Sequence, residues 1–506
     1  MSHVRIWARV KLDDTGNLIR LPVILTSNDQ QLAPLEALLR FFLVRHHARS
    51  HSWMIKLCEI VEQLLHYIEV NHLLKKPVHL FEGFVGALYN GTFDENGDDP
   101  SGLSWLPSNS STINPKLHML EEFSDWMVLK GYVTTPLNPW TTATNAEQRL
   151  NWIAWYRQNQ YSFLGHLGQT GKNADEMKQA RMIKLRRQPA GNKSAPKAFP
   201  ANFEVALLRH GFVRPGKEKE KDILKKFDWR GICIALLLMF GAKRLSEPFH
   251  LWNGDVMENP TRPGEALVRI YHPVEGQAPA HPTINGRRAP NRQAYLRTFF
   301  PAYSPRTGAH GNSRAGFKGR KMTDDRAKFI QVFWLPSNMA SAFLWAFHNY
   351  MHQRASLGLD ASKHPFAFVS HSGEHKGKPY TISSFERAWE RAVKRIGLPH
   401  AKSYGTTPHG GRHGAGNRAN KAGLSPYDAR ELFAHSSLES QKVYRVPTPE
   451  QVTDSMEAAT NRIEGKIGAA ENGERPINEI SGWADLWQID DEWEKYRGKG
   501  KFQQNK

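Results

Sequence analysis

His409 and Arg412 stand three residues apart, His435 follows at a distance of 23 from Arg412, and Tyr444 comes nine residues later. A tyrosine hydroxyl is a weak nucleophile until a neighbour takes its proton, and a phosphodiester repels an attacking oxyanion until its own charge is neutralised. An arginine fork can pair with two phosphate oxygens and stays charged at any working pH. Histidine exchanges protons near neutrality. The set therefore suits attack by a tyrosine on a phosphodiester. Each residue alone has a plainer reading, as a surface charge, a turn cap or a packed ring; the joint order and spacing favour the chemical one.

The run Thr407-Pro-His-Gly-Gly-Arg-His resembles the second catalytic box, His-x-x-Arg-His, of the tyrosine recombinase (phage integrase) family. Leu432-Phe-Ala-His-Ser-Ser, followed by Tyr444, resembles the third box, Leu-Gly-His-Ser-Ser with its nucleophilic tyrosine. Ala434 stands where the family usually has Gly, and Gly411 where it usually has Leu; neither change touches a reacting group. The first box, Gly-x-Arg-x-Ser-Glu, is offered by Gly241-Ala-Lys-Arg-Leu-Ser-Glu247 with one extra residue. The Leu-Ser-Glu that follows selects Arg244 over Lys243.

The resemblance implies a site-specific recombinase or integrase of a mobile element. Tyr444 would attack the scissile phosphate, leaving a 3′-phosphotyrosyl link and a free 5′ hydroxyl. Arg244 and Arg412 would neutralise the transition state, His409 would move the tyrosine proton, and His435 would donate to a non-bridging oxygen. Glu247 would hold the arginines or His435 in place. The family also carries a lysine on a β-hairpin, where it protonates the departing 5′ oxygen. Lys318, Lys321 and Lys328 are offered; a turn at Thr323–Arg326 leaves Lys318 and Lys321 on the arm before it, with the choice between them open. No metal or other cofactor is expected. The expected partners are double-stranded DNA and three further copies of the chain, with accessory DNA-bending or element-encoded proteins allowed for. The rival readings are a type IB topoisomerase-like enzyme and a DNA-binding protein with a relict site.

Charge agrees with a polyanionic partner: the 506 residues carry a formal +19, with a pI near 9.7. Residues 451–506 hold 8 basic and 11 acidic side chains, a net −3, which leaves +22 on residues 1–450. Trp483, Trp487 and Trp493 sit among these acids, which suggests a tail that docks on a neighbouring protomer. Cys58 and Cys233 lie in apolar runs and read as buried free thiols of a reducing compartment. The longest apolar run, Gly231 to Ala242, is too short to span a bilayer, and the first residues lack a signal-peptide core. A cytoplasmic enzyme acting on chromosomal DNA is expected.

The elements that must position these groups read as mixed α/β, mainly α: a helical core-binding domain followed by a catalytic domain with a small β-sheet. Residues 1–30 alternate like strands about a turn at Asp13–Asn17 and are expected as a small β appendage. Helical spacing over 31–180 (Leu35, Leu38, Leu39, Phe42, then Ile55, Ile60, Leu64) predicts the DNA-clamping domain, interrupted by a Gly/Asp/Pro/Ser-rich stretch at 91–111. A basic, Pro- and Gly-broken segment at 181–198 predicts a linker. The catalytic domain spans 199–450, with strands at Ala266–Tyr271 and Lys328–Trp334 separated by a basic insertion at about 273–320. Residues 281–328 hold 11 Lys and Arg against 2 Asp. The stretch reads either as a solvated flexible insertion or as a loop whose Arg287, Arg288, Arg292, Arg297, Arg306 and Arg314 follow DNA phosphates.

Three patterns point elsewhere and are set aside. His371-Ser-Gly-Glu-His375 has metalloprotease spacing, but Gly373 argues against the helix such a motif needs. Gly165–Lys172 lacks the Ser or Thr of a phosphate loop. His46, His47 and His51 have no acidic or cysteine partner at ligand spacing.

Overall fold

In the computed structural model, the structure describes residues 3–11, 14, 18–28, 31–72, 76–159, 175, 177–187, 197–283, 285–309, 311–318, 321–359, 363–435 and 456. The chain is mixed α/β and mainly helical, and it divides into two compact units, Met1–Gly191 and Asn192–Lys506. No helix among the described residues is long and apolar enough to cross a membrane.

In the first unit, β1 (His3–Lys11) and β2 (Leu18–Asn28) form an antiparallel pair, Lys11 opposite Leu18, on either side of the expected turn; β3 (Gln31–Pro34) adds to β2. These strands are not a separate appendage. Leu21 and Ile24 are buried in the same apolar core as α1 (Glu36–Arg45), α2 (His51–Val70), α3 (Pro77–Asn90) and α4 (Ser110–Leu129). A three-stranded sheet this short cannot hide its apolar residues by itself, so it packs on the helices. Helix α2 shows the local logic: Ser50 caps it by accepting the Trp53 N–H at 3.3 Å, and Met54, Leu57, Cys58, Val61 and Leu64 line its buried stripe. A two-stranded ribbon, β4 (Trp140–Thr142) with β5 (Gln179–Arg181), and α5 (Asn145–Asn159) complete the unit.

The second unit is built around α6 (Trp229–Met239). Every residue of that helix is buried, as its unbroken apolar run requires, and Asp228 caps it through the Gly231 N–H. An antiparallel sheet of β6 (Val256–Asn259), β7 (Arg262–Tyr271) and β8 (Phe329–Gln331) includes both expected strands, with Ile270 opposite Ile330. Helix α7 (Arg292–Phe299) lies within the chain that joins β7 to β8. Helices α8 (Met339–Ser356) and α9 (Ile382–Arg395) pack about α6, and α10 (Pro408–Lys421) crosses its C-terminal end. Helix α11 (Pro426–Phe433), capped by Ser425, closes the described part of this unit.

Much of the described part of the basic insertion is folded, which departs from both readings of it as a loop. Tyr295 and Leu296 of α7 are buried with Trp252, Ala278, Ala289 and Phe366 in a core of their own. Two of the six arginines expected on DNA are structural. Arg292 is 2% exposed, pairs with Asp255 and lies between the Trp252 and Tyr271 rings at 4.1 and 4.2 Å. Arg306 is also 2% exposed and donates to the carbonyls of Ser313 and Tyr380 at 2.9 and 2.7 Å. Both side chains are committed to these protein groups, which supply the acceptors a buried guanidinium needs. Arg287, Arg288 and Arg297 are exposed and Arg314 is half-buried.

Candidate active site

Helix α10 presents His409 in its first turn and Arg412 one turn on. Its sequence, Pro-His-Gly-Gly-Arg-His-Gly-Ala-Gly-Asn, is a poor intrinsic helix former. The glycines are needed by packing instead. A Cβ on Gly410 would lie 1.6 Å from the Gly405 carbonyl oxygen, and one on Gly411 would lie 2.9 Å from the Met239 side chain and 3.4 Å from Trp389. The helix thus rides directly on the end of α6, and Gly411 stands where the usual leucine would not fit.

That close approach sets Arg412 between two chain ends. Its side chain, 1% exposed, donates to the Ala242 carbonyl just beyond α6, to the Phe433 carbonyl of α11 at 3.2 Å, and to His435 Nε2 at 2.9 Å. A guanidinium only donates, so His435 Nε2 is the acceptor and Nδ1 carries the ring proton. His435 reaches this position because Ala434 ends α11 in the left-handed conformation, φ 49° and ψ 47°. That is the backbone a glycine adopts without cost and explains the family's usual residue there.

Lys243 and Arg244 part company in the fold. Lys243 is wholly buried, its ammonium donating to the Leu432 carbonyl at 3.0 Å. Arg244 is partly exposed, and the Glu247 carboxylate accepts its backbone N–H at 2.8 Å from a position 2% exposed. Burial pushes the His409 pKa below its ordinary value, and the positive charges of Arg412, Lys402, Arg244 and Lys318 push it further in the same direction. His409 is accordingly neutral at pH 7 and able to accept a proton.

The three lysines differ in company. Lys321 pairs with Glu431 of α11, and Lys328, in the left-handed region at φ 53°, pairs with Asp325 at 2.7 Å. Among the described residues Lys318 forms no ion pair and is exposed. The bridge between Asp324 and Phe329 makes Asp325–Lys328 the turn, so Lys318 and Lys321 both precede it.

Two neighbours were given no role from the sequence, although one of them, His413, closes the His-x-x-Arg-His run. His413 stacks edge-on against His409 with ring centroids 4.4 Å apart, and its pKa is lowered to about 4 by burial, then by His409 and Arg412. Lys402, in a short turn before α10, adds charge to the site. Position 413 follows from the four-residue helical repeat after His409; nothing in the sequence marks Lys402. His371–His375 is a loop with one 3-10 turn, unlike the helix a metal pair would need. Tyr444 and the tail with Trp483, Trp487 and Trp493 lie outside the described residues.

A comparison with curated proteins finds no match. Solved structures that resemble the chain include the Tn1549 transposon integrase in complex with transposon right end DNA, at 13% identity and TM-score 0.43, covering 85% of this chain and 98% of that one. A lambda integrase dimer bound to a COC′ core site matches at 10% identity and TM-score 0.37, covering 81% of this chain and 76% of that one. XerA recombinase matches at 12% identity and TM-score 0.31, covering 84% and 98%. The model of the phage integrase family matches residues 335–451, the segment that carries His409, Arg412, His435 and Tyr444. Residues 335–451 are therefore a domain of the phage integrase family, the tyrosine recombinases.

Proposed function

We propose that the chain is a site-specific recombinase of a mobile element that cuts and rejoins DNA through a 3′-phosphotyrosyl intermediate. The observation that carries this reading is the convergence of His409, Arg412 and His435 within one domain, with the charges of Arg244 and Lys318 acting on the same histidine. Tyr444 attacks phosphorus; its proton passes to neutral His409. The bond to the 5′ oxygen breaks, and Lys318 returns a proton to that oxygen. The new phosphotyrosyl ester conserves the energy of the broken one, so rejoining is the same step reversed. Arg244 and Arg412 meet the charge of the pentacoordinate transition state, and Arg412 also fixes the tautomer of His435. Glu247 sets the backbone that carries Arg244. Two duplexes and four protomers are needed for a complete exchange.

A nicked suicide duplex tests the proposal, since the cut strand diffuses away and the enzyme is trapped on DNA. Wild type accumulates a covalent adduct, whereas Tyr444→Phe binds the duplex equally well and forms none. An adduct at wild-type level in Tyr444→Phe refutes the assignment and turns attention to Tyr404 and Tyr427, both exposed.

A further inference from the structure

The second unit contains a cavity of about 290 Å³ lined by none of the candidate active-site residues. Arg214, Arg230, Arg391 and Arg395 converge on it, with Asp228 as the lone carboxylate, a net charge of +3. Part of that charge is structural. Arg395 donates from Nη1 to the carbonyls of Gly211 and Val213, both at 2.6 Å. Arg230, 9% exposed, donates to the Val369 carbonyl at 2.7 Å and meets Asp228 at 3.4 Å. Of the other two, Arg391 is exposed and Arg214 is partly exposed. Among the described residues Arg214 and Arg391 make no ion pair, and the buried Nε of Arg230 and Nε2 of His371 have no hydrogen-bond partner.

Arg391 and Arg395 reach solvent and Arg214 is partly exposed, whereas Arg230 is buried, so the recess turns a positive face to water that an anion would complement. Four guanidinium groups with a neutral imidazole suit a phosphate group, whose oxygens accept from forks in pairs. His371 stays neutral there because burial, with Arg230 next, drives its pKa down to about 3. We propose that this cavity is a second anion site, separate from the site of strand cleavage, and that it takes a phosphate group through Arg214 and Arg391 against the fixed charge of Arg230. The phosphate is either that of a soluble compound or one in the DNA backbone away from the cut. The inference does not rest on the cleavage chemistry.

The test uses the full chain, with inorganic pyrophosphate as the soluble probe. The double variant Arg214→Ala/Arg391→Ala is compared with wild type, and Arg391→Ala alone serves if the double variant does not fold, which its thermal midpoint without ligand reveals. Each arginine lost should weaken pyrophosphate binding about tenfold, so the double variant loses about a hundredfold. If the natural source is DNA backbone, the slope of log affinity for duplex DNA against log salt falls by about 0.9 for each arginine removed. Loss of pyrophosphate affinity with an unchanged slope assigns the site to a soluble phosphate compound; a reduced slope assigns it to DNA. Equal pyrophosphate affinity together with an unchanged slope, in a folded variant, overturns the proposal.

Discussion

Arg412→Lys keeps the positive charge and removes the fork, so it separates what the charge does from what the geometry does. Arg412 holds three protein acceptors at once, the Ala242 and Phe433 carbonyls and His435 Nε2. An ammonium on a flexible stem can serve one of the two chain ends, which leaves one or two buried acceptors without a donor. Each costs about 1–3 kcal/mol, so about 2–4 kcal/mol of stability is lost. For a unit of this size that lowers the thermal midpoint by roughly 3–8 °C. Catalysis should suffer separately, because His435 loses the donor that sets its tautomer and the phosphate loses a paired contact. A fall of at least about a hundredfold in single-turnover cleavage is expected, the usual consequence of deleting one transition-state donor. The assay is adduct formation on a nicked duplex, run below the variant's melting transition so that only folded enzyme is compared. Cleavage within a few-fold of wild type refutes the catalytic role; an unchanged midpoint refutes the structural one.

Lys318→Ala should cleave ordinary DNA very slowly and recover nearly wild-type cleavage on a substrate with sulfur in place of the bridging 5′ oxygen, since a thiolate leaves without a proton. Lys321→Ala, which only breaks the pair with Glu431, should show no such recovery, and recovery in Lys321→Ala instead would exchange their roles. Arg292→Met strands Asp255 in the core and should cost about 3–5 kcal/mol while leaving the salt dependence of DNA binding unchanged. Exposed Arg297→Ala should change stability by less than about 0.5 kcal/mol. A reduced salt slope with an intact midpoint in Arg292→Met would return that arginine to the DNA face. The protein should also melt more readily in acid. His250 and His413 have pKa values lowered to about 3 and about 4, chiefly by burial, while both titrate near 6.5 in the unfolded chain. Below pH 6.5 the unfolded state therefore binds protons the folded state refuses. Stability is whole above that pH and falls towards pH 4, by up to about 1.4 kcal/mol per pH unit for each histidine. Scanning calorimetry from pH 7 to 4.5 checks this, and a flat midpoint across that range would contradict it.

The candidate groups stood out in the sequence because the proposed chemistry demands their types, and two short helices with the turn between them set their spacing. His409, Arg412 and His435 belong to one stretch, so local geometry carries them together. The amphipathic helices and the strands of the sheet were equally legible, since each alternates apolar and polar residues with its own period. Burial is not local, and there the tertiary structure decided. Six arginines in a polar-looking insertion read alike, yet Arg292 and Arg306 face inward because Asp255 and a set of backbone carbonyls, distant in sequence, supply their acceptors. Lys318 and Lys321 were equivalent until Glu431, more than a hundred residues away, paired with one of them. Gly410 and Gly411 and the left-handed Ala434 gain their meaning only when α10 lies against α6 and His435 turns back onto Arg412, contacts fixed by the approach of two chain segments that no spacing along either one records.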